Sequence, residues 1–294
     1  MPNSGDNLPY LFAETGDLKL HLVKIAYSAF YFALTFILLS YFDHVIAAIN
    51  ARILGYHPVF NYDVLKNLSP TSGWSPKRIA FVYLSGPLLG LIISWISAFG
   101  YNLAGVAHSH LKLFLYWLSL NGFVLFFSYL ITGILSFSNY TSIFFTGFSL
   151  WFNWLFWDNT AITMLLIILS GVFGIFYPFF FWRQTLRNGY SGRLLEQQFG
   201  RVISFINTAV LPVLTGSLII LGATLPMNWQ YQLIRLACVL ITLLIILLWI
   251  AIFRFAPVKV RKGGIEYYSP VFLLIGIGVL LLLARLVLSW QISL

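Results

Sequence analysis

Asp43 and His44 stand side by side where the first long apolar run of this sequence, Ile25 to Phe42, comes to an end. A carboxylate and an imidazole in a membrane-buried stretch are costly, and such residues are functional candidates by default. His57 and Asp63 follow in the next polar stretch. Together the four carry the donor atoms of a zinc centre, which needs about three protein ligands and one open position. The spacing works against it. His44 has Ser40 and Ala48 four residues to either side, so no second ligand shares its helix face. A plainer reading puts Asp43 at the membrane edge, hydrated or paired with Arg52, with His57 and Asp63 as solvated loop residues. Nucleophilic chemistry has less support. The single cysteine, Cys238, lies in an apolar run, and no Gly-x-Ser-x-Gly elbow occurs. His108 and His110, two apart, share a face only on a strand.

The elements that must hold these residues are membrane helices. The chain has 294 residues, 60% hydrophobic and 9% charged, and a mean hydropathy of +0.89. A soluble domain carries roughly 25% charged residues. The apolar runs are long and continuous, unlike the roughly 10-residue alternating segments of a transmembrane barrel. The fold class is therefore all-α, a polytopic transmembrane bundle. The net charge of +9 falls between the apolar runs, which points to a lipid bilayer and to positive-inside topology, with no nucleic acid implied.

The first crossing covers Ile25–Phe42 and stays helix-compatible to about Leu54; Gly55 and Pro58 open a loop. Ile79–Ala107 is the second, with Gly86 and Gly90 forming a small-xxx-small face and Pro87 placing a kink. Leu113–Trp157 has no charge over 45 residues. As one helix it would reach about 68 Å, so it must fold back, and Ser136–Ser142 is the expected break. Ile143–Trp157, rich in tryptophan, crosses thinly or lies in the interface. Further crossings are expected at Asn159–Trp182, Val202 to about Pro226, Leu236–Phe253 and Val271–Trp290, with a small hairpin between Val258 and Tyr268. The domain reading is a polar tail (1–24) with no signal-peptide character, a membrane core (25–182), a basic cytoplasmic linker (183–202) and a three-helix membrane block (203–294).

Lys and Arg concentrate in three connections, Arg52–Arg78, Arg183–Arg201 and Arg254–Lys262, with four in each. If all three face the cytoplasm of a bacterial inner membrane, parity requires about eight crossings, Ile143–Trp157 included. Arg235, Arg254 and Arg285, close to helix ends, are expected to snorkel to the headgroups. No acid in the C-terminal crossings is placed to pair with them, which argues against a proton-coupled transporter.

Ala51-Arg52-Ile53-Leu54-Gly55, the Ser85-Gly86-Pro87 opening of the second crossing and Asn121 in the third follow in an order that resembles the site-2 protease family of intramembrane zinc metalloproteases. That family carries His-Glu-x-x-His ahead of an Ala-Arg-x-x-Gly continuation. Matching Arg52 and Gly55 sets Asp43 at the first histidine, His44 at the glutamate and Ala47 at the second histidine. Ser128–Ile131 stands near the family's second asparagine, and no acid occurs between Asp63 and Asp158 to supply its third ligand. The resemblance covers roughly residues 25–140. It implies a site-2 protease-like core that keeps its frame and has lost its zinc ligands. The expected role is non-proteolytic, a binding or scaffold role toward another transmembrane protein, with no cofactor. Two alternatives stand beside it. One is a metalloprotease with relocated ligands, His57 or Asp63 folding back to within about 5 Å of Asp43. The other is a small-solute transporter or channel lined by helix breaks at Pro87, Pro178 or Pro212.

Overall fold

The computed structural model of the chain describes residues 18–60, 65–67, 74–104, 109–139, 160–188, 195, 198–224, 229–256, 270–289 and 292–293. Six helical stretches are long and apolar enough to cross a membrane, and a shorter apolar helix makes a seventh. The chain is an all-α, multi-pass membrane protein. Asp63, His108, Ile143–Trp157 and the expected hairpin at 258–268 lie outside the described residues.

The first helix, α1 (Leu18–Ile53), occupies the centre. Its buried residues, Ser28, Phe32, Thr35, Phe36, Leu39, Ser40, Asp43, Ala47 and Ala51, recur at three- and four-residue steps. It ends at Gly55, which takes a φ of +83°, with Tyr56 N–H reaching back to the Ala51 carbonyl at 3.1 Å. Glycine adopts this left-handed turn without a Cβ penalty, and this is how many helices stop. Arg52 sits in the last turn, where a cation complements the helix dipole. The Arg52–Gly55 spacing thus has a local structural reason.

The second crossing is jointed. Ser75 caps α2 (Pro76–Tyr83), its hydroxyl accepting from Arg78 N–H, and Leu84 links α2 to α3 (Ser85–Leu103). At the joint the Ser85 hydroxyl donates to the Val82 carbonyl at 2.9 Å, supplying a partner just ahead of Pro87. The buried face of α3 is Gly86, Pro87, Gly90, Ser94, Ser97 and Tyr101. It meets α4 (Ser109–Asn139) almost backbone to backbone at Gly90 and Gly122. There Ser94 and Ser119 exchange hydroxyl-to-carbonyl bonds of 2.6 and 2.7 Å. Helix α4 runs on through Ser136–Asn139, past the start of the expected break.

The next pass is α5 (Thr160–Phe176) and α6 (Phe179–Arg187), separated at Pro178. The Ile175 carbonyl beside this break accepts the Trp249 indole N–H at 2.8 Å. α7 (Gln198–Phe205) leads through a π-helical turn, Ile206–Val210, into α8 (Leu211–Thr224). The extra residue lets Leu211 N–H bond Ile206, five back, immediately before Pro212. α9 (Trp229–Ile252) and α10 (Pro270–Ser289) complete the bundle. The C-terminal helices join one continuous core with α1 and α4, including Phe32, Trp117, Trp182, Val213, Val239 and Leu280.

The contacts fix which way each helix runs. α4 is parallel to α1: Trp117 donates to Ser28, Asn121 to Phe32 and Thr35, and Tyr129 to Asp43. α5–α6 is antiparallel to α4, with Gly174 against Phe127, Tyr177 stacked on Phe123 and Thr185 bonded to Tyr116. α9 is antiparallel to α1, since Arg235 meets Ser40 whereas Phe253 stacks on Trp182. α10 returns, with Gly276 against Phe30 and Arg285 bonded to the Gly222 carbonyl. At the Arg52 end, β1 (Pro58–Phe60) pairs antiparallel with both β2 (Leu65–Asn67) and β3 (Ile292–Ser293).

α4 ends and α5 begins at the Arg52 end, and the described passes number seven. The parity argument expected all three basic stretches on one face; of their described residues, Arg183, Arg187, Arg201 and Arg254 lie toward the Leu18 end, opposite Arg52 and Arg78.

Candidate functional site

The sequence-predicted site lies on three helices that meet about two and a half turns inside the Arg52 end. On α1, Ser40, Asp43 and His44 fall on adjoining turns. Asp43 is 7% exposed. Its Oδ2 accepts the Tyr129 hydroxyl of α4, and His44 Nδ1 lies 3.7 Å from the same oxygen. His44 Nδ1 also bonds the Ser40 carbonyl at 3.0 Å. A carbonyl only accepts, so Nδ1 carries the proton.

Gly86 closes the third side. A Cβ there would stand 2.8 Å from the carboxyl carbon and 3.1 Å from the Cα of Asp43, and would overlap Oδ1. Only a bare backbone fits. Pro87 is buried beside it. The small-residue opening of α3 therefore exists to let the chain pass directly over the acid.

Asp43 is accordingly buried within the bundle and not paired with Arg52. Arg52 turns away to His57, Nη1 to Nδ1 at 2.8 Å, about two and a half turns further along α1. The structure brings Asp43 and His44 together and leaves His57 on Arg52; Asp63 lies outside the described residues. Asn121 is wholly buried and ties α4 to α1, its amide donating to Phe32 O at 3.0 Å and Thr35 Oγ1 at 2.8 Å. Of the matched positions, Gly55 ends a helix, Gly86 and Pro87 form a crossing, and Asn121 staples two helices.

Two contributors escaped the sequence reading. Tyr129 stands in the Ser128–Ile131 stretch, but no pattern there marks a phenol as the partner of Asp43. Arg235, expected at the headgroups, is 0% exposed. Its Nη1 donates to Ser40 Oγ, its guanidinium lies 4.1 Å from the centroid of Phe36, and Asp43 is within its electrostatic reach. Arg285 likewise bonds a helix carbonyl. The C-terminal block thus meets a polar side chain of α1, which no reading of that block alone could show.

Among the described residues no three His, Cys, Asp or Glu side chains converge, so these residues do not by themselves assemble a zinc centre; Asp63 and His108 lie outside them. Asp43 accepts from a phenol, has an imidazole 3.7 Å away, and Gly86 leaves no room at Oδ1. What the cluster does is electrostatic and mechanical. It gives a buried carboxylate a donor from α4 and a close backbone neighbour from α3, and thereby locks α1 to both. Comparison with protein-family models, with curated proteins and with solved structures gives no match for this chain.

Proposed function

We propose that this multi-pass protein is non-catalytic and acts as a membrane-embedded scaffold that holds another transmembrane segment against its outer surface. The observation that carries the reading is Asp43. The one carboxylate among the described residues accepts the Tyr129 hydroxyl, lies 3.7 Å from His44 Nδ1 and is covered by Gly86. Chemistry on a substrate needs an open coordination or hydrogen-bonding position at the reacting group. With that acid closed off, the bundle meets other molecules in the membrane through its apolar exterior. On α3, Leu88, Ile92, Trp95, Ile96, Phe99 and Leu103 are all exposed and recur about once per turn. The likeness to a ligand-stripped site-2 protease core agrees with this role, but the role does not depend on the kinship.

Purified protein is expected to hold well under one zinc per chain by elemental analysis, with no change on Asp43→Ala or His57→Ala. A stoichiometric zinc lost in either variant would sink the scaffold reading and favour relocated ligands. A photo-crosslinking residue at Trp95 in native membranes should give a discrete protein adduct; lipid adducts alone would count equally against it.

The described charges support a sidedness as well. Lys112, Arg183, Arg187, Arg201 and Arg254 gather at the Leu18 end. Arg52, Lys66, Lys77 and Arg78 mark the other end. The positive-inside rule places the Leu18 end in the cytoplasm of a cell membrane and the Arg52 end outside. A reporter active only outside the cytoplasm should work when fused at Pro70 and fail at Tyr190. Equal activity at both would overturn the seven-pass arrangement.

A further inference from the structure

We propose that one edge of the Arg235 guanidinium, its Nε and Nη2, is a binding site for a carboxylate group inside the bundle. The rest of the side chain is accounted for. Nη1 donates to Ser40 Oγ, whose own proton goes to the Phe36 carbonyl at 2.8 Å. The guanidinium face rests on the Phe36 ring at 4.1 Å. Nε and Nη2 have no hydrogen-bond partner among the described residues, although Arg235 is wholly buried. Buried N–H groups of a charged side chain are seldom left so, because water is not there to replace a partner.

The chemistry of the missing partner follows from the geometry. Nε–H and Nη2–H lie on one edge of a rigid plane and point in parallel. That fork receives both oxygens of a carboxylate at once. Asp43 belongs to the same cluster, but neighbours on three sides hold it elsewhere: the Tyr129 hydroxyl, His44 Nδ1 and the Gly86 backbone. The buried neighbourhood narrows the class further. Around Arg235 on α9, Leu236, Cys238 and Val239 are buried, with Gln232 the polar residue one turn before, and α1 buries Leu39 beside Ser40. An organic acid with an apolar body suits this setting better than a strongly hydrated inorganic anion, whose water shell nothing here replaces. The site is distinct from the closed acid on which the scaffold reading rests, and it stands if that reading fails.

The test is equilibrium binding of radiolabelled acetate and radiolabelled laurate to the full-length protein in lipid nanodiscs, with empty nanodiscs as blank. Saturable binding near one site per chain is expected for at least one of them. Unlabelled phosphate should not compete. Binding of both would assign a free carboxylate; binding of laurate alone would assign a lipid-derived acid. Arg235→Gln should weaken binding by about tenfold or more, and Arg235→Lys, which keeps the charge without the fork, should do the same. Arg285→Gln should leave it unchanged. Absence of saturable binding to the wild-type protein would overturn the proposal, whatever the variants do. So would binding that survives Arg235→Lys, or displacement by phosphate.

Discussion

Gly122→Ala is expected to destabilise the protein by about 1–3 kcal/mol, towards the upper end of what overpacking costs. The added Cβ would meet the Gly90 carbonyl oxygen at 2.5 Å, Ser94 N at 3.1 Å and Ser94 Cβ at 3.2 Å. Two of these are backbone atoms, so no rotamer change relieves the clash, and α3 and α4 must part. Parting them also stretches the reciprocal Ser94–Ser119 bonds and the 2.9 Å contact from Ser94 to the Tyr177 hydroxyl, which links this crossing to α5–α6. The same substitution at Gly171 or Gly222 meets nothing within 4 Å and should stay within about 0.5 kcal/mol of wild type. Unfolding in detergent, followed by helical signal against denaturant, separates the two classes. Equal losses at all three positions would mean that the close crossing does not stabilise the bundle.

Arg201→Leu is expected to cost about 3–5 kcal/mol, the range for losing one partner of a buried charged interaction. Arg201 is 4% exposed, yet the described residues give it no carboxylate. Its guanidinium instead donates to three backbone carbonyls: Nε to Leu195 at 2.6 Å, Nη1 to Phe253 at 2.9 Å and Nη2 to Ala256 at 2.9 Å. Phe253 and Ala256 close the C-terminal turn of the α9 pass, where carbonyls lack helical partners and the dipole is negative. One side chain from α7 thus caps another helix and pins the stretch leading into its own. Leucine fills similar space but leaves three buried acceptors unmet, each worth about 1–3 kcal/mol before relaxation. Arg201→Lys keeps the charge, loses the planar geometry and should fall between. If Arg201→Lys unfolds like the wild type, point charge alone explains the site.

The fold class was legible because it depends on composition and run length, which the bilayer thickness turns into helices. The small-residue face of α3 was legible for a similar reason: Gly86 and Gly90 four apart have few uses in an apolar helix besides close approach. Partners across the bundle were not legible. Nothing near Arg235 in the sequence announces Ser40 or Phe36, since the contact forms only when α9 folds back against α1. Position near a helix end favoured snorkelling, and tertiary packing overrode it. The parity argument asked more of the charges than they require. It put all basic stretches on one side, whereas charge asymmetry sets orientation by majority and tolerates a lesser cluster opposite. Arg52 and Gly55 show the converse. Their spacing stood out in the sequence, but a helix that must stop and turn accounts for it.

The pairing of β1 with β3 joins the stretch just after the first helix to the last described residues, Val59 to Ser293 and Phe60 to Ile292. Such a ladder cannot close until the last pass has been made and folded back beside the first. The first and last passes are then fastened together beside the Arg52–His57 pair. An appendage fused after residue 293 would sit where that clasp forms, whereas one added ahead of α1 would lie at the opposite face.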